Sequence, residues 1–116
     1  MHTPTTTIDP SADLVTLVNV FTVDPERQLE LADALDRSTE EIFVGVPGFI
    51  SANLHVSLDG TRVVNYAQWA SEQHYTDALQ RPEIREHVVA AAAIAQAYNP
   101  TLARVRSVHH RRGREA

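Results

Sequence analysis

Val63-Val64-Asn65-Tyr66-Ala67-Gln68-Trp69 is the stretch on which the reading of this chain turns. It alternates, is rich in β-branched and aromatic residues, and is entered through the turn signal Asp59-Gly60, so it predicts a β-strand. Alternate side chains of a strand point to opposite faces. Val63, Asn65, Ala67 and Trp69 therefore share one face, and Arg62, Val64, Tyr66 and Gln68 the other. The first face sets an amide and an indole on either side of a methyl group. That makes a hollow with one hydrogen-bonding wall and one flat aromatic wall. A buried amide costs free energy unless it is paired, so a face that only packs would be more stable with Val or Leu at 65 and 67.

Outward from this strand, the remaining elements fall into order. Residues 14–23 alternate and predict a first strand. Asp24-Pro25-Glu26 is a helix start, with Asp at the N-cap, Pro in the first turn and an acid at the positive helix end. The helix is expected over 25–44, with Leu31, Leu35, Ser38 and Ile42 at helical spacing, and Gly45-Val46-Pro47-Gly48 breaks it. A second strand over 49–58 turns at Asp59-Gly60 into the third, over 61–69, as a hairpin. A short helix is expected over 70–80. A longer one opens at Pro82, carries Ile84, Val88, Ala91, Ala95 and Tyr98 on one stripe, and stops at Asn99-Pro100. A fourth strand is expected over 102–108. The order β-α-β-β-α-β predicts an α+β ferredoxin-like sandwich, an antiparallel sheet with helices on one face.

Residues 1–13 read as a flexible arm, 14–108 as the folded domain and 109–116 as a basic tail. The side chains expected under the helices are Val15, Leu17, Asn19 and Phe21 from the first strand, Phe49, Ser51, Asn53 and His55 from the second, and Val63, Asn65, Ala67 and Trp69 from the third. The opposite face would then carry Val18, Val20, Ile50, Ala52, Leu54, Val56, Val64 and Tyr66, nearly free of charge apart from Arg62. Such a face is not left in water, and the simplest cover is a second copy of the chain about a two-fold axis.

Composition narrows the chemistry. A chain of 116 residues, 43% of them hydrophobic, is one soluble domain. No apolar run approaches the ~20 residues of a membrane helix, and the first residues show no leader peptide. Cytoplasm is the default compartment. With no Cys and no Lys, thiolate and lysine Schiff-base chemistry are excluded. Residues 1–99 hold five Arg against fourteen acids, whereas 100–116 hold five Arg against one Glu. The acidic body opposes nucleic-acid binding through the basic end, which reads as a solvated tail.

Three features together resemble the antibiotic biosynthesis monooxygenase family: the element order, the helix stop Val46-Pro47-Gly48-Phe49, and the junction Tyr66-Ala67-Gln68-Trp69-Ala70-Ser71-Glu72-Gln73-His74-Tyr75. The resemblance covers residues 14–108 and points within the family to the cofactor-free anthrone oxygenases of aromatic polyketide pathways. It implies a dimeric α+β barrel with one site per subunit, between sheet and helices. It also implies oxidation of a tricyclic or tetracyclic anthrone to its quinone by O2, without flavin, haem or metal. The chain has no Gly-rich phosphate loop and no HxxxH or HxH pair in the folded part, His109-His110 lying in the tail. No cofactor is therefore expected.

An anthrone is a carbon acid whose enolate can pass an electron to O2. The protein must supply a shaped apolar pocket, donors for the enolate oxygen and a proton for the peroxide. Asn65 and Trp69 match the family's active-site Asn and Trp, and both carry N–H donors. Asn19 matches the first-strand Asn of some members. His55 and Tyr75 match positions implicated in polyketide members, Ala67 forms the hollow, and Arg85 is a candidate donor at the edge of the second helix. His74 and His87 read as surface histidines. Two alternatives stand beside this one. A haem-degrading enzyme of the same fold would use Asn19 but needs a helix Trp near Ala78 and a His about one residue from His87. A non-catalytic barrel would merely bind an aromatic metabolite.

Overall fold

The computed structural model describes residues 3–113; Met1, His2 and the end of the basic tail, 114–116, lie outside it. Strand β1 (Val15–Thr22) leads through one 3-10 turn (Pro25–Arg27) into helix α1 (Gln28–Glu41). Asp24 caps that turn by accepting from Glu26 N at 2.9 Å. A second 3-10 turn (Phe43–Gly45) precedes the hairpin of β2 (Phe49–Val56) and β3 (Arg62–Trp69). Helices α2 (Glu72–Ala78) and α3 (Pro82–Ile94) follow, and β4 (Ala97–Ala103) ends the domain. The sheet order is β2-β3-β1-β4, with every neighbouring pair antiparallel. This is the ferredoxin-like α+β sandwich expected from the element order.

The β1–β3 pairing holds the centre. Val15 faces Trp69, Leu17 faces Ala67, Asn19 faces Asn65 and Phe21 faces Val63. All eight lie under the helices, as the alternation of both strands predicts. Val15, Leu17, Ala67 and Trp69 pack with Ala78 and Ile84 at one end; Phe21 and Val63 pack with Leu31 and Ala91 at the other. The hairpin is tied to α1 by Gln28, whose Nε2 donates to Ser57 O at 3.0 Å and Arg62 O at 2.9 Å.

Two expectations need correction. The first concerns β2. Its pairing with β3 shifts between Phe49 and Ser51, a β-bulge with Ile50 as the extra residue. Phe49 still faces Trp69, but beyond the bulge Ala52 faces Ala67 and Leu54 faces Asn65. Ala52, Leu54 and Val56 therefore turn to the helix side, and Ser51, Asn53 and His55 to the outer face, the reverse of the uniform alternation. The physical gain is plain. Outside, Ser51 Oγ donates to Gln68 Oε1 at 2.8 Å and Asn53 Nδ2 donates to Tyr66 O at 2.8 Å, bonds that an apolar interior would not offer.

The second concerns the C-terminal elements. Helix α3 ends at Ile94 rather than Tyr98, and β4 occupies 97–103 rather than 102–108. Gln96 N donates to Thr22 O at 2.8 Å and draws the chain onto β1. Asn99-Pro100 is thus inside a strand, Pro100 facing Asn19. An edge strand tolerates this, because proline's missing N–H faces no neighbour.

The outer face carries Val18, Val20, Val64 and Tyr66, all half-buried, beside the polar set from β2. The N-terminal segment lies against it: Thr6 Oγ1 donates to Asn53 Oδ1 at 2.6 Å, and Gln68 Nε2 donates to Thr7 O at 2.9 Å.

Gly48, at φ 84°, ends the loop before β2, and its carbonyl accepts from Ala70 N at 2.7 Å. A Cβ there would overlap the His74 ring as well as strain the backbone. Gly48→Ala is expected to lower stability by about 1–3 kcal/mol, read as a fall in the thermal midpoint; an unchanged midpoint would show that this junction is not strained.

Candidate active site

Between the sheet and the helices lies a cavity of about 330 Å³, inside the range of small-molecule sites. Its floor is built by β1 and β3 with Leu17, Asn19, Phe21, Asn65, Ala67 and Trp69. Ala52 and Phe49 of β2 and Tyr98 and Pro100 of β4 extend the floor to both sides. The roof comes from α1 (Leu35, Ser38, Thr39), from Phe43, from α2 (Tyr75, Ala78, Leu79) and from α3 (His87, Val88, Ala91). Trp69 is only 2% exposed whereas Tyr98 is 46% exposed. The cavity therefore runs from a closed aromatic end to an opening between α3 and β4.

The aromatic end is a cage. Phe43, Phe49 and Tyr75 meet the Trp69 ring edge-on at 6.2, 5.5 and 5.8 Å between centroids, the arrangement that ring quadrupoles favour. Local sequence explains each position. The 3-10 turn after α1 swings Phe43 inward. Ser71 caps α2 by accepting from His74 N at 3.1 Å, and the first turn of that helix then sets Tyr75 over the indole.

The polar atoms in this wall are unusual in what they lack. Asn19 Oδ1, Asn65 Oδ1 and Trp69 Nε1 are buried and meet no hydrogen-bond partner among the described residues. Buried polar groups are nearly always paired, and here three unpaired ones belong to three residues of one apolar cavity. Among the described residues, no carboxylate or arginine lines it. Burial, with a smaller contribution from Tyr98, pushes the Tyr75 phenol above its ordinary value, so it stays protonated as a donor. Among the described residues, no three His, Cys, Asp or Glu cluster as metal ligands would.

The structure thus brings together Asn19, Asn65, Ala67, Trp69 and Tyr75. It does not bring His55 or Arg85. The bulge turns His55 outward, where it is exposed and its Nδ1 lies 3.1 Å from Asn53 O. Arg85 is exposed on α3 beside the buried Ile84 and does not line the cavity. Two residues read otherwise in the sequence do line it. His87, taken for a surface histidine, stands one turn beyond Ile84 and one turn before Ala91, and that spacing was the available signal. Ser38, seen only as a stripe position, lies with its Oγ 2.7 Å from His87 Nδ1.

A ferredoxin-like sheet roofed by helices over a mostly apolar, aromatic cavity, with no carboxylate or arginine in its wall among the described residues, is the form of a small-molecule site. Residues 14–90 match the family described as antibiotic biosynthesis monooxygenase, and the chain belongs to that family and is an enzyme. It is 52% identical over 81 residues, 70% of its length and 72% of the relative's, to the tetracenomycin-F1 monooxygenase of Streptomyces glaucescens. The crystal structure of SnoaB, a cofactor-independent oxygenase from Streptomyces nogalater, superposes with a TM-score of 0.72 at 30% identity, covering 84% of this chain and 97% of that one. The monooxygenase from the gene ActVA-Orf6 of Streptomyces coelicolor, in complex with nanaomycin D, gives a TM-score of 0.76 at 34% identity, covering 89% and 96%.

The unpaired amide of Asn65 gives a direct test of what the site costs the fold. Asn65→Leu removes an orphaned polar group and fills the same space, so it is expected to raise stability by about 1–2 kcal/mol. The check is the melting curve; a lowered midpoint would mean that the amide is satisfied in solution.

Proposed function

We propose that this protein is a cofactor-independent monooxygenase that oxidises an anthrone-type polycyclic aromatic polyketide to a quinone with O2. The observation that carries this reading is the set of orphaned polar groups, on Asn19, Asn65 and Trp69, in the wall of an otherwise apolar and charge-free cavity. The activities of the relatives, a tetracenomycin-F1 monooxygenase and a cofactor-independent oxygenase, support it.

The chemistry follows from what such a wall does to a carbon acid. A flat phenolic substrate fits between the sheet floor and the helix roof. Loss of a benzylic proton gives an enolate whose negative charge rests on oxygen. N–H donors from Asn65 and Trp69 stabilise that charge, and in a dry site they do so far more strongly than water would. The enolate passes one electron to O2, the radicals join as a peroxide, and loss of water leaves the quinone carbonyl. One CH2 and one O2 become one C=O and one H2O, so the balance closes with no external reductant. Tyr75 is a phenol donor beside the indole.

One observation favours a second reading. His87 lies in the cavity wall, about one residue from where a haem-degrading enzyme would have its iron ligand. Ala78 stands in that wall where such an enzyme needs a Trp, which weighs the other way. A Soret band on mixing with haemin would support the haem reading.

We read the outer sheet face as the interface of a homodimer, centred on Val18, Val20, Val64 and Tyr66. The expected outcome is a dimer at micromolar concentration by sedimentation, about 800 Å² being buried per subunit, and its dissociation by Val64→Glu. A monomeric wild type, or an unchanged assembly in the variant, refutes it.

Trp69→Phe tests the mechanism, since it keeps the flat wall and removes the N–H. Oxygen uptake with an anthrone should show kcat lowered ~10²-fold, or ~3 kcal/mol of barrier, with KM near normal. Wild-type activity should survive a strong chelator. A folded variant with unchanged kcat would remove Trp69 from the reaction.

A further inference from the structure

The reading above leaves one step without an agent, the removal of the substrate proton. The side chains lining the cavity narrow the choice. None is a carboxylate or an amine, and the ionisable ones are Tyr75, Tyr98 and His87. A phenolate forms only near pH 10, and burial moves Tyr75 further from neutrality. Imidazole is the side chain that takes up and releases a proton between pH 5 and 8.

The Ser38–His87 contact also says which nitrogen is available. Ser38 is buried, and its Oγ donates to Ala34 O at 2.9 Å. A hydroxyl has one proton, and a carbonyl can only accept. Both contacts are hydrogen bonds at once only in the tautomer whose Nδ1–H donates to Ser38 Oγ, 2.7 Å away. In the neutral ring the lone pair is on Nε2, which makes no hydrogen bond among the described residues. Ser38 holds the ring from α1, and His87 lines the same cavity as Asn19 and Asn65.

We propose that His87 is the catalytic base of this enzyme and that Ser38 is its positioning residue. This rests on the carbon-acid reading given above. Nε2 takes the benzylic proton as the C–H bond breaks, and the electron pair stays with the substrate as the enolate. The enolate gives one electron to O2, and the two radicals form the C–O bond of a peroxide. The imidazolium returns its proton to the peroxide oxygen, giving a hydroperoxide and a neutral His87. The remaining benzylic C–H bond then breaks, its electron pair forms the C=O bond as the O–O bond breaks, and the released proton joins the departing hydroxide as water. Of the elements that line the cavity with His87, α1 contributes Leu35, Ser38 and Thr39, β4 Tyr98 and α2 Tyr75, and of these Ser38 is bonded to the ring. Glu83, Arg85 and Glu86 of its own helix do not line the cavity.

A merely structural Ser38–His87 bond between two helices would affect melting and little else, so the test reads the proton itself. Under nitrogen in D2O, wild-type enzyme with a dihydroxyanthrone is expected to exchange the benzylic hydrogens well above the uncatalysed rate. His87→Gln should lose that exchange. In air it should lower kcat by ~10²–10⁴-fold with KM nearly unchanged, and erase the acid limb of the kcat/KM profile. If His87→Gln does not fold, Ser38→Ala and Ser38→Thr decide: exchange slowed about tenfold by Ala and restored by Thr supports the assignment. Wild-type exchange rates in His87→Gln, or equal rates in both Ser38 variants, overturn it. A wild type that neither consumes oxygen nor exchanges hydrogen with the anthrone overturns the carbon-acid reading itself, and this assignment with it.

Discussion

Asn19 facing Asn65 across the two central strands is the constraint on which the rest of this structure depends. Antiparallel pairing places the two amides side by side on the inner face, where neither finds a partner among the described residues. A site of this kind persists only if the surrounding core is strong enough to hold it open. Apolar clusters do so at both ends, one around Trp69 and Ile84, the other around Phe21 and Leu31. Between them the small side chain of Ala67 leaves the floor open. The stability of the fold and the emptiness of its middle are thus two results of the same register.

For the proposed reaction, the absence of charged side chains in the cavity wall among the described residues matters as much as the polar groups do. A lining carboxylate would repel an enolate. A lysine or arginine would trap it as a stable ion pair and lower its tendency to give up an electron. Neutral N–H donors stabilise the anion less and leave it reactive. For the reaction proposed above, a wall of neutral donors and rings suits a substrate that itself reduces O2, and the proposed base His87 would change charge only while it holds the proton.

Much of this was legible in the sequence, and the failures have physical causes. β1 and β3 are regular and paired without a shift, so their alternation assigned Asn19, Asn65, Ala67 and Trp69 to one face correctly. β2 was misphased because Phe49 belongs to the core while Ser51, Asn53 and His55 do not. Its apolar set Ala52, Leu54 and Val56 is out of step with Phe49, and that mismatch is itself the trace of a bulge. The sequence pattern makes α3 too long because the alanines from 90 to 93 carry no stop signal and Asn99-Pro100 resembles one. The bond that ends the helix region, Gln96 to Thr22, joins residues far apart in the chain. Ser38 and His87 lie on different helices, and only the packing of α1 on α3 brings them together.

Pro100 has a consequence for behaviour outside the active site. β4 is an edge of the sheet, and an edge strand offers its spare N–H and C=O groups to any passing chain. Val23 N donates to Thr61 O, directly across from it just before β3, so Asn19, in phase with Val23, also bonds toward β3, and Pro100 opposite it turns its ring nitrogen outward. It interrupts the row of donors in the middle of the seven-residue strand and puts a bulky ring where a second strand would have to lie. The same residue that borders the cavity thus guards the molecule against strand-by-strand aggregation at that edge.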